Sequence, residues 1–286
     1  MRHLLTSLLL LGCLATLPLP LIAQDPGSEF QFVETNGIRM AYRIQGEGEP
    51  LLLLHGFGDT EATWDPILAD LASDYRVILP QLRGHGQSTN PSGEFTHRVA
   101  AQDVLGLLDA LGIEEVRAAG HSTGGMTLLH MATAQADRVS AMALLGSTTY
   151  FPEQARQMMR MMSPENMPPG YMEEMARRHG GAERAGELMR QFSGFQDSYD
   201  DMNFTPPLLS TISARTLIVH GDRDIFFPTS IPVEMYDAIP ESYLMVLPNW
   251  GHAAIPTDEE GRAFLVSTLK RLFAGEWACT AGCANR

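Results

Sequence analysis

Cysteine and positive charge are what this sequence has little of. Its 286 residues include three cysteines, and 20 Lys plus Arg stand against 34 Asp plus Glu, a formal charge of −14. A phosphate backbone is held by clustered cations, and neither this balance nor any run of Lys and Arg provides a patch for one, so nucleic acid is excluded as a partner. The same balance disfavours anionic lipid and strongly anionic substrates. Internal repeats and low-complexity blocks are absent, and no metal-ligand spacing or dinucleotide fingerprint stands out, so no cofactor is implied. What is present is a globular composition. With 44% hydrophobic and 19% charged residues the chain can bury a sizeable core, and α/β architectures of this length usually form one domain.

Residues 1–23 carry Arg2, His3 and no acid, then a mostly apolar run from Leu4 to Leu11, and end in Leu21-Ile22-Ala23 before the polar Gln24-Asp25-Pro26. This order is that of a secretory signal peptide. Pro18 and Pro20 break the apolar stretch short of the ~20 residues a spanning helix needs, so an uncleaved anchor is the weaker expectation. So is a lipoprotein leader in which Leu10-Leu11-Gly12 precedes a lipidated Cys13. An exported protein, in the periplasm or outside the cell, is therefore expected. Cleavage after Ala23 removes Cys13 and leaves Cys279 and Cys283 in a tail over 276–286. An oxidising compartment favours a Cys279–Cys283 disulfide there, which would clip the tail and add little to the core.

Hydrophobic periodicity sets out the rest. Phe30 to Thr35 and Ile38 to Ile44 flank Asn36-Gly37, a two-residue hairpin signal. Leu51 to Leu54 is a continuous apolar run, as in a strand covered on both faces, and similar runs recur at Tyr75 to Leu79, Val116 to Ala119, Val139 to Leu145, Thr216 to Val219 and Tyr243 to Leu247. Helical patterns lie between them, for example Trp64, Ile67, Leu68 and Leu71, or Val104, Leu107, Leu108 and Leu111. The alternation predicts an α/β fold: a mostly parallel sheet with an N-terminal antiparallel hairpin and helices on both faces. The rhythm breaks over 150–210, where no strand is evident and nine of the sixteen methionines fall. That segment is expected to be a helical cap inserted into a core of 24–149 and 211–275. Its methionines, with Phe192, Phe195, Tyr199 and Phe204, are expected to wall an apolar cleft, although ordinary core filling fits the same residues.

Gly120-His121-Ser122-Thr123-Gly124 matches G-x-S-x-G, follows an apolar strand and opens a helix. A tight turn that pushes Ser122 outward needs small neighbours, and the helix N-terminus favours an anionic intermediate. A serine needs a base and a group to orient that base. His252 follows the last expected strand, at the same sheet edge as Ser122. Asp224, in Gly221-Asp222-Arg223-Asp224, is carried past another strand end and is favoured over Asp222 as the acid. His97, His130 and His179 fall in helical stretches and read as surface or satisfied core residues.

These motifs resemble the α/β-hydrolase superfamily over about residues 30–273. Ser122, Asp224 and His252 follow the family's order, at spacings of 102 and 28 positions. His55-Gly56-Phe57-Gly58 is similar to the family's oxyanion loop, and the resemblance implies that the backbone N–H groups of Phe57 and Thr123 hold the developing oxyanion. Leu82-Arg83-Gly84-His85-Gly86-Gln87-Ser88 is similar to the family's turn after its fourth strand, with Gln81 standing where Asp is usual. His55, His121 and Trp250 flank these motifs and are expected to line the substrate pocket.

The expected function is an exported serine hydrolase acting through an acyl-enzyme on a small, apolar ester or related acyl substrate. Family members that open epoxides or remove halide use an Asp nucleophile, which Ser122 argues against. A cofactor-free perhydrolase or haloperoxidase is the nearer alternative, because Gly-His-Ser-Thr-Gly-Gly resembles the elbow of that group. A non-catalytic binding protein on the same fold is the third.

Overall fold

The computed structural model describes residues 29–253 and 255–277. The expected leader, Cys13 and the Cys279–Cys283 pair lie outside the described residues. One sheet is built from β1 (Gln31–Thr35), β2 (Ile38–Gln45), β3 (Glu49–Leu54), β4 (Tyr75–Pro80), β5 (Val116–His121), β6 (Val139–Leu145), β7 (Arg215–Gly221) and β8 (Ser242–Leu247). The helices are α1 (Asp65–Ala72), α2 (His97–Ala110), α3 (Thr123–Ala134), α4 (Glu153–Met161), α5 (Pro169–His179), α6 (Ala182–Gly194), α7 (Pro206–Leu209), α8 (Ser230–Ala238) and α9 (Glu259–Ala274).

The strand order is β1-β2-β4-β3-β5-β6-β7-β8. β1 and β2 pair antiparallel, as do β2 and β4, and every later pairing is parallel. Asn36 and Gly37 take φ of 44° and 77°, the left-handed pair that a two-residue hairpin turn requires. The fold class therefore agrees with the alternation of the sequence.

Side chains alternate across the sheet with a period of two, so Leu51 and Leu53 face one layer and Leu52 and Leu54 the other. The first layer is closed by Ile67, Leu68 and Leu71 of α1 and by Leu265, Leu269 and Leu272 of α9. The second is closed by α2, α3 and α8, through residues such as Val104, Leu108, Leu128 and Ile231. Burial on both faces is what turns these strands into continuous apolar runs.

Between β6 and β7 the chain leaves the sheet and forms α4 to α7. Met175, Ala185, Leu188 and Met189 make a small cluster of their own there, against which Phe57, Met162 and Met172 pack. α5 ends in a left-handed Gly180 (φ 82°), and Arg177, Arg178 and His179 occupy its last turn, where cations complement the helix dipole. α6 buries Ala185, Gly186, Leu188 and Met189 on one face.

Candidate active site

Ser122 sits between β5 and α3 with φ 49° and ψ −115°, a backbone conformation that costs energy in any residue with a side chain. The turn is held by two hydrogen bonds: Ser122 N–H donates to Leu145 O at 2.8 Å, and Met126 N–H donates to Ser122 O at 3.0 Å. Close packing explains the neighbouring glycine. A Cβ on Gly124 would lie 2.3 Å from Leu54 O.

β7 and β8 deliver the other two groups to the same edge. His252 Nε2 accepts from Ser122 Oγ at 3.0 Å, and His252 Nδ1 donates to Asp224 Oδ2 at 2.7 Å. Asp224 is buried, and its second oxygen, Oδ1, accepts the amides of Phe226 at 2.8 Å and Phe227 at 3.1 Å. Burial pushes the Asp224 carboxyl up, but the His252 contact and these two amides outweigh it and hold the group below the usual carboxylate range. Asp222 does something else: its Oδ1 accepts Trp250 N–H at 3.2 Å and ties down the loop that carries His252.

A cavity of about 160 Å³ opens above Ser122. Ser122, Phe57, Thr123, His121 and His252 share its wall with Met159, Met162 and Met189 from the inserted helices and with Phe151, Phe192, Phe195, Phe226 and Phe227. Thr123 is the first residue of α3, so its N–H has no carbonyl within the helix to bond. Asp59 is the one acid in this wall, which contains no Lys or Arg; Arg178 pairs with Asp59 at 2.6 Å from outside it. His121 Nε2 donates to His252 O at 2.7 Å, and burial pushes the His121 ring down to about 3, with the neighbouring His252 acting in the same direction.

Two of the residues expected to line the pocket do not. His55 is fully buried beneath the loop: its Nδ1 donates to Gly56 O at 2.8 Å and its Nε2 accepts Leu82 N–H at 3.0 Å, so both ring nitrogens are spent on backbone. Trp250 turns the other way, donating from Nε1 to Ala253 O at 3.1 Å and lining a separate hollow with Val219, Pro256 and Phe264. Of the apolar residues expected in the wall, Met161 is exposed, Tyr199 lies under Arg156 with the guanidinium 3.9 Å from its ring centre, and Phe204 packs on His130.

One wall residue escaped the sequence reading. His97 opens α2, is fully buried, and faces the cavity. Its Nδ1 donates to Asp201 Oδ2 at 2.7 Å across 104 residues of chain, a separation no local pattern reveals.

The profile of the alpha/beta hydrolase fold family matches residues 49–189. An uncharacterized protein of Mycobacterium tuberculosis is 42% identical over 102 residues, a stretch that spans 36% of this chain and only 30% of that relative. The 2-hydroxymuconate semialdehyde hydrolase of Pseudomonas sp. (strain CF600) is 28% identical over 245 residues, 76% of this chain and 84% of that one. Among solved structures, the enol-lactonase from Burkholderia xenovorans LB400 superposes with a TM-score of 0.69 at 24% identity, over 85% of this chain and 100% of that one, a likeness of fold. By its sheet order, its strand-turn-helix elbow and this family match, the chain has the α/β-hydrolase fold.

Proposed function

We propose that the protein is an exported serine hydrolase that cleaves an uncharged, largely apolar ester or lactone through an acyl-enzyme. The observation that carries this reading is His252 standing between Ser122 at 3.0 Å and Asp224 at 2.7 Å. In the reaction, Ser122 Oγ attacks the carbonyl carbon and its proton passes to His252 Nε2. Asp224 fixes the tautomer and stabilises the imidazolium. The carbonyl oxygen, now anionic, is held by the amides of Phe57 and Thr123 and by the N-terminus of α3. Collapse expels the alcohol, which takes the proton from His252, and water repeats the sequence to free the acid.

The cavity wall narrows the substrate. The muconate named for the 28% identical relative is a carboxylate, and the wall here contains no Lys or Arg to bind one, the one acid, Asp59, being paired with Arg178. An uncharged acyl compound suits such a wall better, and an enol-lactone, named for the structural neighbour, is an internal ester. The inserted helices act as a cap over this substrate, and the leader over 1–23 directs the protein out of the cytoplasm.

Replacing Ser122 by Ala tests the nucleophile. Purified protein assayed on p-nitrophenyl butyrate is expected to lose at least about 10⁴-fold in kcat. Unchanged turnover ends the reading. Peroxide-dependent bromination in acetate buffer, faster than plain ester hydrolysis, would move the function to perhydrolysis on the same serine.

A further inference from the structure

A second histidine–carboxylate pair faces the cavity, apart from the one at Ser122. Asp201, in the segment that follows α6, reaches across to the start of α2. Its Oδ2 accepts both His97 N–H at 2.8 Å and His97 Nδ1 at 2.7 Å, its Oδ1 accepts Arg98 N–H at 3.1 Å, and its own carbonyl accepts His130 Nε2 at 2.8 Å. Burial pushes the Asp201 carboxyl up, yet the His97 ring and the amides of His97 and Arg98 prevail and hold it down at about 2. An ionised carboxylate only accepts, so a hydrogen of the His97 ring sits on Nδ1, and in the neutral imidazole Nε2 is an acceptor.

That Nε2 is buried and meets no protein partner among the described residues. Phe95, Phe151 and Phe195 pack on the ring with centroids 5.6, 5.9 and 5.1 Å away. A buried acceptor without a donor is costly. Its place is also informative. Ring contacts join His97 to Phe195, and Phe195 to Phe57 on one side and through Phe192 and Phe226 to His252 on the other, so His97 belongs to the aromatic wall and not to the Ser122 dyad.

Resting on the serine-hydrolase reading, we propose that His97 is a specificity residue: its Nε2 receives a hydrogen bond from a hydroxyl carried on the buried, apolar part of the substrate, remote from the scissile carbonyl. The preferred substrate class is then a hydroxylated aromatic or alkyl ester or lactone rather than a plain one. A site built to bond a hydroxyl discriminates strongly against the analogue without it, because the site's own polar atom is left unpaired.

The test compares p-nitrophenyl 3-phenylpropanoate with its ortho-, meta- and para-hydroxy and methoxy derivatives, on the wild-type protein and on His97→Phe. The wild type is expected to favour at least one hydroxyl isomer over the unsubstituted ester by about tenfold or more in kcat/KM, and over the matching methoxy ester by as much. In His97→Phe the preference, read as the ratio of kcat/KM for the hydroxyl and unsubstituted esters on the same variant preparation, falls to about one. No hydroxyl preference in the wild type overturns the proposal without any variant. So does a methoxy ester that serves as well, or a preference that survives His97→Phe. Ser122→Ala separates the two readings: if it abolishes turnover and the hydroxyl preference is missing, the role of His97 alone is lost, whereas turnover that persists removes the serine mechanism beneath it.

Discussion

His179, the last residue of α5, donates from Nε2 to the carbonyl oxygen of Gly58 at 3.0 Å, so the inserted helices hold the backbone next to Phe57 directly. His179 Nδ1 accepts Gly86 N–H at 3.0 Å on its other side, and Gly58 N–H donates to His85 Nε2 at 3.0 Å. The loop that would present the Phe57 amide is thus clamped between the turn after β4 and the cap. Electrostatic stabilisation of an oxyanion depends on donors that are already in place when the charge develops.

His179→Ala should therefore lower kcat for ester hydrolysis by about tenfold or more with a smaller change in KM, since the lost bond positions a donor and does not touch substrate. Stability should fall by about 1–3 kcal/mol, because Gly58 O and Gly86 N–H each lose a buried partner. Steady-state kinetics beside denaturant melts check both. A variant that loses stability yet keeps its kcat would show the clamp to be purely structural.

The same histidines make the fold acid-sensitive. Burial is the main cause that pushes the rings of His55 and His179 down to about 4 and that of His85 well below its ordinary value; for His55 and His85 the neighbouring histidines add to it. Each ring accepts an amide N–H, which a protonated ring cannot do. As pH falls below about 6.5 the unfolded chain takes up protons at these positions and the folded chain does not, so stability is full above that pH and declines through the window from 6.5 to about 4. Melting temperatures should drop steeply across this interval. A Tm that is flat from pH 7 to pH 4.5 would contradict the burial of these rings.

Much of this architecture was legible because its signals are local. Asn36-Gly37 states its turn in two residues, Leu51 to Leu54 state a doubly covered strand in four, and Gly120 to Gly124 state the elbow in five. What escaped depends on distant partners. His55 reads as a pocket residue until Leu82, 27 positions on, takes its second nitrogen, and His97 reads as filler until Asp201 arrives from beyond α6. Trp250 stands two places from His252, yet the loop turns between them, so nearness along the chain misplaced its side chain.

The proposed leader is tested by processing of the chain. If residues 1–23 are removed on export, protein recovered from the periplasm or medium of a native host should begin at Gln24, and its intact mass should lack the leader. Fractionation with N-terminal sequencing reads this directly. A diacylglycerol adduct on Cys13 would assign the protein to the membrane surface instead.

Two acids compete for the role of orienting His252, and the geometry separates them by a clean contrast. Asp224 bonds the ring itself, whereas Asp222 bonds the amide of Trp250, one element removed from the chemistry. Asp224→Asn replaces an acceptor by a group that can donate, which favours the wrong tautomer of His252, and kcat should fall by about 10³–10⁴-fold. Asp222→Asn keeps a carbonyl oxygen that can still receive Trp250 N–H, so kcat should stay within about threefold of wild type. Gln154 gives the contrast a further control. Its Nε2 donates to Asp224 O at 3.2 Å and Ile225 O at 2.9 Å, tying α4 to the acid's loop from the cap side, and Gln154→Ala should cost only a few-fold in kcat. Equal losses in the two Asp variants would mean that loop position, and not the carboxylate on the imidazole, limits the reaction.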